Sequence, residues 1–425
     1  MAKTLNPLDI HSLINDIVAQ TTGESAIGAI TSDDFVSVGE TGTARQYENT
    51  LGALYQIIGK MIVATRPYNG KLRIIDASDE GPYTQLRRKI SYYAKPSDPS
   101  GYWNTQLYTN LAAGYDNGTN PVGGVDQSTG SMWVQNPAMP LEMDFYSHNT
   151  WDDTLTTYLN QLKVAFRDEG EFARFIDGVI TEKSNDIEQQ REAYRRMTLL
   201  SYMAGLYDVD TVGSTGQAIN LTAAYNAKFN TGGTPVTTQA LLTTNFKEFL
   251  EFLVSTIKQL SNMLEYRTIS NHWSVPKTVG ADTFHILRHT PKDRQKLILY
   301  RPLLIDAQAR IFPEIFNPEF LNIDNYEGVD FWQSEASPME INVTPSIPDV
   351  AGTNSGLQTT GSAVNLTHVI GVMYDEDAVW DSNIFEDSLT SPIEAKKGYY
   401  NTIWHINHGS YIDYTEKGIL LYMAD

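Results

Sequence analysis

Hydrophobic positions along the chain fall into runs of two periods, three-to-four and two, separated by polar stretches rich in Gly, Asn and Thr. Leu155, Leu159, Leu162 and Phe166 lie three or four apart. Beyond Gly170 the spacing continues through Phe172, Phe175, Ile176, Val179, Ile180, Ile187, Tyr194, Met197, Leu200 and Met203. The pattern predicts a long amphipathic helix from Asp152 to about Gly205, bent or broken at Gly170. Asp152 and Asp153 suit the positive end of its dipole, and Arg191, Arg195 and Arg196 suit the negative end. At 1.5 Å per residue the section after Gly170 would span roughly 50 Å, which fits a strut; for an isolated helix, a core element of a large enzyme is the commoner reading.

Shorter elements surround it. Leu8, Leu13, Ile14 and Ile17 mark a short helix, and a polar stretch to Asp34 follows as an extended arm. Residues 51–63 are apolar enough for another helix, and Lys71 to Ala77 alternates like a strand. Downstream, Leu242, Phe246, Phe249, Leu250, Leu253, Ile257, Leu260 and Leu264 predict a second amphipathic helix. Strands are expected at Thr283 to His289 and Lys296 to Tyr300, then a helix opened by Pro302 and stopped before Pro313. Three strand-like pieces close the chain, at Thr367 to Tyr374, Gly398 to Asn407 and Tyr411 to Met423. Turns are expected at Asp375 to Asp377 and His408 to Ser410.

Between Tyr83 and His148 the periodicity disappears. Tyr92, Tyr93, Tyr102, Trp103, Tyr108, Tyr115, Trp133, Phe145 and Tyr146 are interleaved there with Gly, Asn, Pro, Ser and Thr. Such a segment cannot form its own core, and large aromatics left without one mark a contact surface. An irregular enzyme lid, or an insertion folded over its own body, would have the same composition.

With 425 residues the chain can bury a sizeable core in two or three domains. Acidic residues outnumber basic ones 51 to 31, a net charge of −20, which repels phosphate backbones and anionic membranes. Lys3 is the only Lys or Arg in the first 35 residues, so no basic arm grips nucleic acid. The absence of cysteine excludes disulfides, thiolate metal sites and cysteine nucleophiles, and fits a reducing cytoplasm. No apolar run suggests a leader or a membrane span.

Candidate chemistry is sparse. Gly59-Lys60 is followed by Met61 and makes no phosphate loop, and Gly213-Ser214-Thr215-Gly216 lacks the spacing of a nucleophile elbow. His285 and His289 would chelate only on a helix, and a strand is expected there. His405 and His408 straddle an expected turn without a clustered carboxylate beside them, so no metal or cofactor is assigned. Asp375, Glu376 and Asp377 read as a solvated turn rather than a catalytic carboxylate pair.

Taken in order, these segments resemble the major capsid proteins of tailed bacteriophages, the Hong Kong 97-type fold, and especially those of short-tailed podoviruses. "WDDTLTTYLNQLKVAFRDEGEFARFIDGVI" looks like the opening of the P-domain spine helix, and "QKLILYRPLLIDAQARIFPEIFNPEFLNI" resembles the A-domain pattern of strand and short helix. "THVIGVMYDEDAVWDSNIFED" followed by "GYYNTIWHINHGSYIDYTEKGILLYM" looks like an A-domain strand, two long P-domain strands and a closing A-domain strand.

The resemblance implies an α+β fold. Its expected parts are an N-terminal arm over residues 1–70, a long, enlarged E-loop hairpin over 71–148, a P-domain over 149–235 and 376–410 with its spine helix at 152–205, and an A-domain with mixed sheet and helices over 236–375 and 411–425. It implies a non-enzymatic shell protein whose copies form hexamers and pentamers around packaged double-stranded DNA. A separate scaffolding protein and a portal protein at one vertex are the further expected partners, with assembly in the host cytoplasm, location in the virion and no membrane. Tyr92, Tyr93, Trp103, Tyr108 and Trp133 are its expected inter-subunit contacts, and an acidic inner wall would let DNA slide without adhering. An encapsulin-like cellular shell of the same fold, and a cytoplasmic enzyme with an unrecognised site, are the alternatives.

Overall fold

The computed structural model describes Leu72, Ile75 and residues 77–79, 87–93, 138–145, 149–158, 169–279, 282–310, 325–348, 358–394 and 396–425. The expected helices at 8–18 and 51–63 lie outside them.

The four C-terminal strands show how two sheets are built from one run of chain. β14 (His368–Asp375) and β17 (Gly418–Met423) pair antiparallel, while β15 (Val379–Thr390) and β16 (Tyr399–Ile412) form a long hairpin. The chain crosses from β14 to β15 through Glu376–Ala378 and returns from β16 to β17 through residues 413–417. The two crossings lie side by side: Asp413 N donates to Ala378 O at 2.8 Å and Asp375 N to Lys417 O at 2.9 Å.

The first sheet is five-stranded, ordered β5 (Ala218–Asn220), β17, β14, β8 (Gln295–Tyr300), β9 (Asn325–Val329). β8 is buried at every position and β14 at all but the first, as their nearly continuous apolar sequences require. The second sheet is four-stranded, ordered β1 (Ala77–Asp79), β15, β16, β4 (Asn149–Tyr158). Along Tyr400 to Ile406 of β16, every second residue is buried, so one face is covered. Helices complete the α+β fold, the longest being α1 (Glu169–Gly213), followed by α2 (Leu221–Phe229), α3 (Thr238–Thr243), α4 (Phe246–Leu264) and α5 (Arg301–Arg310).

Three expectations change. Asp152 does not begin a helix: residues 149–158 are β4, paired with β16 over ten positions. The Thr-rich sequence favours a strand, and the leucine spacing that imitates a helix is accommodated by alternation, with Trp151, Asp153, Leu155 and Thr157 on the less exposed face. The helix also does not stop at Gly205. It runs to Gly213, where Ser214 takes a left-handed conformation and Asp210 Oδ1 accepts from the amides of Gly216 and Gln217. Finally, His408 to Ser410 lie within β16; the real turn is at 413–417, where Asp413 Oδ1 accepts from the Thr415 amide at 2.8 Å and its hydroxyl at 2.6 Å.

The main core joins the C-terminal half of α1 to the five-stranded sheet and α4. Leu199, Tyr202, Met203, Leu206 and Val209 pack with Phe249, Leu253, Ile257, Val372, Tyr374 and Leu420, all nearly inaccessible. Tyr202 stacks on Tyr414, ring centroids 5.7 Å apart, and meets Tyr374 edge-on. The Tyr414 hydroxyl donates to Ser346 O at 3.1 Å, and burial holds it well above the usual tyrosine range. This ring explains Gly205: a Cβ there would overlap the Tyr414 side chain, whereas one at Gly178 would meet nothing.

Gly205→Ala is therefore expected to cost about 1–3 kcal/mol through overpacking, while Gly178→Ala gains up to about 1 kcal/mol of helix propensity. Urea midpoints of the two variants check the pair; equal midpoints would remove the close-approach explanation.

Candidate assembly surface

Within the expected hairpin, residues 71–148, β2 (Arg87–Tyr92) pairs with β3 (Pro140–Phe145) as a two-stranded ribbon, in register from Arg87 opposite Phe145 to Tyr92 opposite Pro140, whereas β1 belongs to the four-stranded sheet. A lone ribbon of this size is marginal in water, so it needs the body beneath it. Its inner face supplies the attachment. Tyr93 packs with Phe284 and Ile286, backed by Met139 and Leu141, with the Lys277 ammonium 5.6 Å from the Tyr93 ring centre. Phe145 meets Trp380 edge-on at 5.5 Å.

The outer face carries Arg88, Ile90 and Tyr92 beside Pro140, Glu142 and Asp144. Arg88 Nε lies 2.7 Å from Glu142 and 2.9 Å from Asp144, exposed pairs that contribute little stability. Ile90 is 56% exposed and Tyr92 60%, two adjacent apolar side chains without cover among the described residues. Of the expected contact residues, Tyr92 faces outward and Tyr93 packs into its own subunit; Trp103, Tyr108 and Trp133 lie outside the described residues. Ile90 was missed, although the alternation Arg88, Ile90, Tyr92 places it beside Tyr92.

Beneath the ribbon lies a buried charged joint. Lys89 Nζ pairs with Asp413 and Glu416, both from the turn between β16 and β17. Arg288 lies 3.2 Å from Glu416 and donates to Ser91 Oγ at 2.6 Å and Thr415 O at 3.3 Å. Burial pushes the Glu416 carboxyl up, against the opposing pull of Lys89 and Arg288. Lys417 turns the other way, donating to Tyr266 O at 2.7 Å and Thr268 Oγ1 at 3.1 Å, and burial lowers it to about 8. His272, bonded to Ile286 O at 2.8 Å, is lowered by burial to about 4 and stays neutral.

Over residues 183–195, α1 meets the four-stranded sheet largely through charge. Lys183 reaches Asp153 at 2.8 Å, Arg191 reaches Glu386 at 2.7 Å, and Asp381 lies between Arg195 at 2.9 Å and His408 at 2.5 Å. Tyr194 lies between Trp151 and His408. Beside it a cleft of about 370 Å³ is lined by Asp152, Asp153, Asp186 and two glutamines. Among the described residues no group of three or more His, Asp or Glu is arranged to hold a metal. His405 and His408 are three apart on one strand and face opposite sides, so they do not converge. Ser274 Oγ lies 3.2 Å from His285 Nδ1, and burial lowers that imidazole.

No family model matches the chain, and no curated protein matches it. Among solved structures, one chain of the capsid of Staphylococcus phage Andhra is similar, at 10% identity over 84% of this chain and 88% of that one, TM-score 0.46. A chain of the bacteriophage PhiM1 mature capsid shares 7% identity over 84% and 88%, TM-score 0.40. A chain of the capsid of cyanophage P-SCSP1u shares 10% over 82% and 86%, TM-score 0.38.

Two predictions arise here. Arg191→Met leaves the partly buried Glu386 carboxylate without its cation and is expected to cost about 1–3 kcal/mol, most of it recovered by adding Glu386→Leu. Urea unfolding of both variants checks this, and a double variant no better than the single would remove the pairing. For Lys417, the folded pKa lies below the unfolded one, so the unfolded chain binds more protons between about pH 8 and 10.4. Subunit stability should therefore rise over that window relative to Lys417→Met, and parallel pH profiles would contradict it.

Proposed function

We propose that this chain is the major capsid protein of a tailed bacteriophage, of podovirus type, and that many copies close into an icosahedral or prolate shell around double-stranded DNA. The observation that carries the reading is the ribbon, which is held to its own subunit by one face and presents Ile90 and Tyr92 on the other. The segment between β2 and β3 is rich in aromatic residues, and such a composition beside an outward apolar face is suited to contact with a neighbouring copy, in keeping with the sequence resemblance. We assign the four-stranded sheet and the N-terminal half of α1 to the P-domain, and the five-stranded sheet with α4 to the A-domain, around which hexamers and pentamers would form.

The role is structural. Each neighbour contact removes aromatic area from water at roughly 25 cal/mol per Å², reduced by the entropy of ordering the hairpin. The net charge of −20 supports non-specific enclosure of DNA rather than sequence recognition. A separate scaffolding protein and a portal at one vertex complete the reading, with assembly in the host cytoplasm and residence in the virion.

Expression alone and with a candidate scaffolding protein, followed by electron microscopy, should yield shells, tubes or capsomers. A discrete monomer under both conditions would contradict the proposal. Tyr92→Ser should leave the subunit's urea midpoint within about 0.5 kcal/mol of wild type and raise the concentration needed for assembly about tenfold. An unchanged assembly threshold would remove the ribbon's outer face from the interface.

A further inference from the structure

We propose that Lys89 and Arg288 are positioning residues, which set the direction of the β2–β3 ribbon before assembly by locking it to the carboxylate turn Asp413–Glu416. The inference rests on the reading of the ribbon as an assembly contact.

The ribbon's apolar attachment is small. Tyr93 in its cluster and Phe145 on Trp380 hold the ribbon down, yet apolar packing is non-directional and leaves its angle loosely defined. Charged hydrogen bonds are directional, and four ionic groups meet at this one place. Their side-chain exposures are 2% for Asp413, 11% for Glu416, 18% for Arg288 and 23% for Lys89. Two cations face two carboxylates, so the cluster is balanced only while Lys89 is in place. The planar Arg288 guanidinium joins two elements at once, Ser91 of β2 and the turn, which it meets at Thr415 and Glu416. Thr415 Oγ1 lies 3.4 Å from Lys89 Nζ and also donates to Asp413, which holds the carboxylate in its orientation.

The location adds a consequence. The turn carrying both carboxylates is the return crossing from the four-stranded to the five-stranded sheet. A ribbon fixed there is fixed relative to both sheets, so its angle is coupled to theirs. Buried ion pairs add little net stability compared with apolar replacements, and their better-attested use is to specify one arrangement. A ribbon already pointing at its neighbour also loses less entropy on assembly.

The test is hydrogen–deuterium exchange of the full-length, unassembled subunit, with the assembly threshold measured in parallel. In Lys89→Met, amides of residues 87–93 and 138–145 should exchange about tenfold faster while those of 368–375 are unchanged, and the assembly threshold should rise. Lys89→Arg should keep both near wild type. Unchanged ribbon exchange in Lys89→Met overturns the clamp, whatever assembly does. A loosened ribbon with an unchanged threshold overturns the positioning role, and an unchanged threshold in Tyr92→Ser separately overturns the reading on which it rests. If Lys89→Met exposes residues 368–375 as well, Glu416→Gln, which keeps the volume and removes the charge, is read by the same criteria.

Discussion

One helix is bonded to two sheets by two different forces, and the rest of the structure depends on that division. Along its C-terminal half α1 buries Leu199, Tyr202, Met203 and Leu206 in the main core, where close packing tolerates little rearrangement. Over residues 183–195 its contacts to the four-stranded sheet include Lys183 with Asp153, Arg191 with Glu386, and Arg195 with Asp381. Such pairs specify register strongly and add little net stability, because desolvation offsets most of their attraction. The two sheets are therefore held with unequal stiffness by the same rod.

That division explains which parts of the fold were legible in the sequence. β8 and β14 are buried on both faces, and their apolar runs could hardly be read otherwise. The helix was equally plain from Tyr194 to Met203, but its last turns, to Gly213, carried no comparable stripe. The four-stranded sheet was harder because the stretch of helix that covers it buries charged side chains. Met197, assigned to the apolar stripe by spacing, is exposed, while Lys183, Glu188 and Arg191 are buried. A hydropathy pattern assigns charges to solvent, and here their partners lie on strands distant in sequence, so the period could not reveal the packed face. The same cause placed a helix over β4, whose pairing with β16 is a long-range fact.

The candidate site was legible in part. Composition directs attention to the aromatic segment, and the outward direction of Tyr92 follows from strand alternation once the ribbon is known. Tyr93 was indistinguishable from Tyr92 in sequence, since only the identity of the buried face separates neighbours on a strand. The charged joint had no local signature at all: Lys89 and Glu416 are joined across more than three hundred residues, a separation no motif spans.

The joint and the helix raise the same physical question, namely how a fold can be stable and still hold its parts in a defined geometry. Apolar burial supplies the stability and is concentrated around the five-stranded sheet. Direction is supplied by charges, at the base of the ribbon and along α1, where a misplaced partner leaves an uncompensated ion in a poorly solvated place. The turn at 413–417 belongs to both the joint and the crossing between the sheets, so under the proposed clamp the ribbon follows the angle between them. A contact made by the ribbon on a neighbour would in turn act on that angle, which is the coupling a lattice of identical subunits needs if each is to respond to the placement of the next.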